Sequence, residues 1–140
     1  GQAIDLEAAG QRLGVAALEQ MHRLKTGALI HASVMMAAAS VVGLPAELKT
    51  GLDRYGLALG LAFQVQDDIL DVEGETEVLG KRARADAALD KPNYPAVAGL
   101  PAAKARLREL HDEAVAALAP LGDAATPLRW LSGWLTERRH

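Results

Sequence analysis

The sequence contains no cysteine. That excludes disulfides, thiolate zinc sites, iron–sulfur clusters and cysteine nucleophiles, and it is compatible with a cytoplasmic location. A basic excess is also missing. Fifteen Lys and Arg stand against 18 Asp and Glu, a net charge of −3, so nothing drives non-specific nucleic-acid binding. β-Branched residues are scarce: valine, isoleucine and threonine total 17 of 140 residues, whereas alanine and leucine total 50. The first group favours strands and the second helices, so the chain is predicted to be all-α. No signal peptide or charged targeting segment is visible after Gly1. A membrane span is excluded by content. The longest stretch free of Asp, Glu, Lys and Arg, Thr26 to Ala46, is interrupted by His31, Ser33, Ser40, Gly43 and Pro45. No internal repeat or low-complexity tract occurs.

What is present is a soluble, globular composition, 50% apolar and 24% charged, in a length that suits one domain with a sizeable core. A buried helix is predicted from about Ala16 to Val42, stopped by Gly43 and Pro45. A second is predicted from about Ala46 to Val72, because Leu48, Leu52, Tyr55, Leu59, Ala62, Gln66 and Ile69 recur at alternating spacings of four and three. Gly74 is its expected stop. Residues from Gly74 to Pro95 carry many charges and few large apolar side chains, which reads as a long, functional loop with at most one helical turn. A third helix is predicted to begin near Pro101, with Leu107, Leu110, Ala114, Leu118 and Leu121 as its stripe and Gly122 just past its end. A fourth starts at Thr126-Pro127, with Thr126 as N-cap and Leu128, Leu131, Trp134 and Leu135 as its apolar face. Trp130 and Trp134, four apart, are expected to pack against a neighbouring helix.

The strongest chemical signal lies on the second helix, in Phe63-Gln64-Val65-Gln66-Asp67-Asp68-Ile69-Leu70-Asp71. At about 100° per residue, Gln64, Asp67, Asp68 and Asp71 share one face, and Gly60 and Gly56 precede them on it. Each pair of neighbouring carboxylates costs on the order of 1 kcal/mol in water and several-fold more in a dehydrated cleft. Asp is a poor mid-helix residue, and near a helix C-terminus the macrodipole opposes it. Such breaks of local rules concentrate at functional sites. The bland alternative is a solvated acidic face. The sharper reading is a hard-cation site, since Mg²⁺ takes oxygen ligands and shares phosphates with one or two carboxylates.

A metal–phosphate site needs cationic partners. Lys25-Thr26-Gly27 interrupts an apolar helix, where lysine either snorkels to the surface or faces a polar cleft. Gly80-Lys81 lies in the charged segment, with Asp86 and Lys91 following at intervals of five. It is no P-loop: five residues separate Gly74 from Gly80 where four are required, and Arg82 replaces Ser or Thr. His22 and His31 are not spaced i, i+4, and no HExxH pattern exists, which argues against a zinc hydrolase. His111, in a charged stretch, reads as a surface residue.

Five blocks in order resemble the C-terminal half of the bacterial trans-prenyltransferases of the farnesyl diphosphate synthase type. They are Gly1-Gln2-Ala3-Ile4-Asp5-Leu6; His22-Arg23-Leu24-Lys25-Thr26-Gly27-Ala28-Leu29-Ile30; Leu61 through Val72; Leu79-Gly80-Lys81 with Asp86 and Lys91; and Lys91-Pro92-Asn93-Tyr94-Pro95. The tail Glu137-Arg138-Arg139-His140 resembles the family's C-terminus. The resemblance implies an all-α, antiparallel bundle of the isoprenoid synthase type, with residues 1–140 forming the C-terminal part of a single domain. It implies condensation of an allylic diphosphate with isopentenyl diphosphate, using three Mg²⁺ held between two aspartate-rich motifs. Asp67-Asp68-Ile69-Leu70-Asp71 matches the second motif. The first belongs to the N-terminal half, so the 140-residue chain is expected to be inactive alone.

By the same resemblance, the metal set is Asp67, Asp68, Asp71 and Asp86, with Asp67 a direct ligand and Asp71 and Asp86 acting through waters. Lys25 and Lys81 contact the allylic diphosphate, with Lys91 nearby. Thr26 and Gln64 present oxygens to the developing cation, and Gln2 and Asp5 join a polar layer beside the metals. The family assembles as homo-oligomers in the cytoplasm. Two positions depart from its pattern: Arg84 stands where glycine is usual, and Asn93 where threonine is usual. Glycine would allow a positive φ that Arg84 resists, whereas asparagine suits many turns. The alternatives are a longer-chain prenyl diphosphate synthase, a terpene cyclase, which lacks the Asp-Asp-x-x-Asp form, and a non-enzymatic helical interaction domain.

Overall fold

A computed structural model describes residues 13–87 and 92–138 of the chain, and over 75–87 it describes the backbone alone. All regular elements among the described residues are helical. A first rod is built of α1 (Val15–His22), a π-helical segment (Arg23–Gly27) and α2 (Ala28–Ala39). Then come α3 (Ala46–Ala87), α4 (Tyr94–Ala98), α5 (Leu100–Ala117), a 3₁₀ segment (Ala119–Ala125) and α6 (Thr126–Glu137).

The first rod stops where the sequence says it should. Gly43 adopts φ +75°, a conformation that costs glycine little, and turns the chain into α3. Pro45 supplies the carbonyl that accepts the Lys49 amide and opens the new helix. Contacts between rod and α3 run antiparallel: His22 meets Asp68, Gly27 meets Gly60 and His31 meets Asp53. The Gly27–Gly60 crossing is backbone on backbone. A Cβ added to Gly60 would lie 2.8 Å from Gly27 Cα, so only glycine permits this approach.

Every other described element packs on α3, most extensively α5 and α2. The expected stripe lies inward: Tyr55, Leu59, Ala62, Gln66 and Ile69 are buried, together with Leu18, Met21, Leu107, Leu110, Leu118 and Leu135. Tyr55 is fully buried and donates its hydroxyl to the Leu128 carbonyl, 3.0 Å away, which ties α3 to the start of α6. Burial pushes this phenol up to about 12.

Several expectations need correction. Gly74 does not end the second helix, which runs on to Ala87. The stretch expected as a loop carries alanine, glutamate, lysine and arginine, whose backbone preference is for helix. Its remainder from 88 to 91 lies outside the described residues. Arg84 therefore sits in helical backbone, and no positive φ is asked of it. Asn93 caps α4, its Oδ1 accepting the Ala96 amide at 2.8 Å. Thr126 is the first residue of α6 and not its cap; its hydroxyl donates to the Asp123 carbonyl. The first rod is not buried all round, since Leu29 and Met36 are 68% and 66% exposed. Trp130 and Trp134 stack on each other, centroids 6.5 Å apart, and both are exposed. His111 is half-buried between α5 and α6, its Nδ1 3.0 Å from the hydroxyl of buried Ser132.

Candidate active site

The aspartate cluster lies in the interior of α3, because the helix continues well beyond Asp71. The macrodipole at a helix end therefore plays no part here, and the case for the cluster rests on the crowding of its charges. Its four members of interest part company in three dimensions. Gln64, one turn past the Gly27–Gly60 crossing, is buried. Asp67 and Asp71 are exposed, on the same stripe as Gly60 and Gln64. Asp68, only 100° away from Asp67, turns into the protein with its side chain 16% exposed.

Asp67 faces a cation already. The Arg138 Nη2 donates to its Oδ1 at 3.0 Å, and the guanidinium lies over the Phe63 ring, 4.7 Å from its centre. Arg138 is held there by a second bond, in which Gln66 Nε2 donates to its carbonyl at 2.7 Å. Arg138 and Gln66 line, with Ile69, Lys104 and Arg108, a groove of about 430 Å³ between α3, α5 and the end of α6.

Asp68 accepts two bonds on one oxygen. His22 Nε2 donates to Oδ2 at 2.9 Å, and the Tyr94 amide donates to the same atom at 2.8 Å. The Tyr94 hydroxyl, in turn, donates to Glu19 Oε1 at 3.0 Å, an oxygen that also accepts from Arg106 Nε at 2.9 Å. Burial would raise the Glu19 carboxyl, but the Arg106 guanidinium, the Tyr94 hydroxyl and Arg23 outweigh it and hold it below the ordinary carboxylate range. Burial, and then the bond to Glu19, push the Tyr94 phenol up to about 12.

Lys25 and Thr26 lie on the π-helical segment, Lys25 exposed and Thr26 half-buried. Single π turns concentrate at functional sites. The glycine crossing lays this segment against α3 at Gly60, one turn before buried Gln64 and two turns before exposed Asp67. Lys81 and Asp86 are on the last turns of α3, but their side chains lie outside the described residues, as do Gln2, Asp5 and Lys91. Among the described residues, no three His, Asp or Glu gather to hold a metal ion. Two outward carboxylates with only oxygen donors, one of them already drawing a guanidinium, nevertheless suit Mg²⁺, which keeps waters and takes the rest of its ligands from phosphate.

Sequence reasoning missed His22, Tyr94 and Arg138 as neighbours of the aspartates. His22 and Tyr94 stood in recognised blocks and Arg138 in the tail that resembles the family's C-terminus, and membership of those segments was the available signal.

The structure superposes with a TM-score of 0.73 and 32% identity on a geranyltransferase from Helicobacter pylori complexed with magnesium and isoprenyl diphosphate, covering 96% of this chain and 44% of that one. The protein is thus an all-α protein of the isoprenoid synthase fold. Residues 1–120 match the family model for polyprenyl synthetases, and the chain belongs to that family. It is 45% identical over 141 aligned residues to farnesyl diphosphate synthase of Escherichia coli K12, covering 99% of this chain and 47% of the relative. Against farnesyl diphosphate synthase of Haemophilus influenzae the identity is 38% over 140 residues, with the same shares covered. The chain therefore spans just under half the length of these relatives.

Proposed function

We propose that this chain supplies one wall of a farnesyl diphosphate synthase active site, which condenses dimethylallyl or geranyl diphosphate with isopentenyl diphosphate. The observation that carries the reading is the shared face of α3: Gly60 draws the Lys25–Thr26 segment against the helix, and Asp67 and Asp71 stand exposed farther along the same stripe. Similarity to farnesyl diphosphate synthases over nearly the whole chain supports it.

Asp67 would hold Mg²⁺ directly, and Asp71 and Asp86 through waters. Three ions in the complete enzyme would place positive charge beside the diphosphate as it leaves. Lys25 and Lys81 bind the allylic diphosphate, with Lys91 close by, and their ammonium groups neutralise charge that grows as the C–O bond lengthens. Thr26 and Gln64 turn oxygens toward the electron-poor carbon. Gln2 and Asp5 order the polar layer beside the metals. No protein base is assigned, because the released diphosphate can take the final proton. We place the enzyme in the cytoplasm as a homo-oligomer. Among the described residues, no helix is long and apolar enough to cross a membrane.

The test is Asp67→Ala in the full-length protein that carries this sequence. Turnover should fall by orders of magnitude while far-UV circular dichroism stays helical. Turnover within about threefold of wild type, roughly 0.65 kcal/mol of barrier, would show that Asp67 holds no essential metal.

A further inference from the structure

Within the acidic motif, Asp68 has different surroundings from its neighbours. Its Oδ2 accepts from His22 Nε2 at 2.9 Å and from the Tyr94 amide at 2.8 Å, so one oxygen joins the first rod, α3 and α4. The His22 ring is buried, 3% exposed, and its Nδ1 finds no partner among the described residues. The ring therefore makes its one described polar contact to Asp68. Tyr94 is tied a second time through its hydroxyl to Glu19, one turn before His22, and Glu19 is held by Arg106 of α5. The result is a closed loop of bonds through α1, α3 and α4, braced at Glu19 by Arg106 of α5.

The placement of this junction is informative. His22 is the last residue of α1, and the π-helical segment starts at the next residue. Lys25 and Thr26 lie one turn farther on, so fixing the azimuth of the His22 ring fixes theirs as well. On the other side, Asp68 follows Asp67 directly, and holding its carboxylate inward holds Asp67 outward. Beside the Gly27–Gly60 crossing, this inward contact thus constrains the relative rotation of the two segments that carry the proposed lysine and metal ligand.

We propose that His22 is a positioning residue for the reaction, and that Asp68 serves as the anchor it holds and not as a metal ligand. The proposal rests on reading the Asp67 face as the metal–diphosphate site. Misplacing reacting groups by about 1 Å can cost on the order of 100-fold in rate even when the altered residue is remote from the chemistry.

The experiment uses four variants of the full-length protein: Asp67→Asn, Asp68→Asn, His22→Leu and His22→Gln. Asparagine at 68 keeps an oxygen that can accept both bonds, so Asp68→Asn should retain turnover and the Mg²⁺ concentration for half-maximal activity, whereas Asp67→Asn should lose turnover by orders of magnitude. His22→Leu should raise the Mg²⁺ requirement or lower kcat about tenfold or more, with the urea midpoint as a check on folding. His22→Gln restores a side-chain donor and should recover most of the loss. Loss in Asp68→Asn as deep as in Asp67→Asn would overturn the anchor, and wild-type behaviour of His22→Leu would overturn the positioning role. Should His22→Leu not fold, Asp68→Asn decides alone. Hydrogen exchange at the Tyr94 amide gives a reading independent of activity. It should be slow in wild type and clearly faster in His22→Leu; equal rates would overturn the clamp. If Asp67→Asn remained active, the metal reading would fall and this exchange would judge the clamp by itself.

Discussion

Adjacent aspartates at 67 and 68 are the same residue type with opposite surroundings. Asp67, 52% exposed in its side chain, meets Arg138 at the surface, whereas Asp68 is enclosed by His22 and the Tyr94 amide. A helix turns each residue by about 100°, so one step is enough to move a carboxylate from a cleft face to a packed one. The acidic pattern was legible in the sequence, but this division was not, because it depends on which helix stands opposite. Lys25 illustrates the reverse case. Its place in an apolar run allowed either a surface or a cleft reading, and the structure sets it on an exposed turn of the π segment. In the full-length protein, Lys25→Ala and Lys81→Ala should each weaken use of the allylic diphosphate and leave isopentenyl diphosphate affinity little changed. Steady-state KM values for the two substrates check this, and equal losses for both would assign the lysines to folding.

Among the elements, α3 departs furthest from its expected form. Apolar periodicity located its start and its buried stripe correctly, because those residues report on a core. The same signal vanishes after Val72, where alanine, glutamate, lysine and arginine favour helix by backbone preference. The π segment had no signature at all in the sequence; an i→i+5 turn is a local adjustment to packing. The glycines of the stripe were visible as small residues, but only the structure shows that Gly60 faces Gly27. Gly60→Ala should therefore be costly even though alanine favours helix. A Cβ there would sit 2.9 Å from the Gly27 carbonyl oxygen, so the rod must shift. We expect a loss of about 1–3 kcal/mol, the usual cost of overpacking, read as a lower urea midpoint. An unchanged midpoint would mean that the two helices separate freely.

For the whole molecule, the exposed apolar surface matters most. Leu29 and Met36, seven apart on α2, are two-thirds exposed, Val42 is 99% exposed, and the stacked Trp130 and Trp134 stand on α6 at 67% and 55%. Exposed apolar side chains of this size are an association liability on a monomer where they cluster. The 140-residue chain, prepared as it stands, should therefore self-associate, and sedimentation equilibrium should return a mass well above 14.8 kDa. A stable monomer with cooperative unfolding would show that these side chains need no cover. Composition and periodicity were sufficient to determine the all-α class, the order of the main helices, the turn at Gly43 and the acidic face, since propensity, spacing and charge are properties of neighbours along the chain. The clasp of His22 and Tyr94 on Asp68, the guanidinium of Arg138 on Asp67 and the glycine crossing join residues 26 to 71 apart and were decided only by tertiary structure. Contacts at that range depend on which helix faces which, and a local pattern carries no record of its partner.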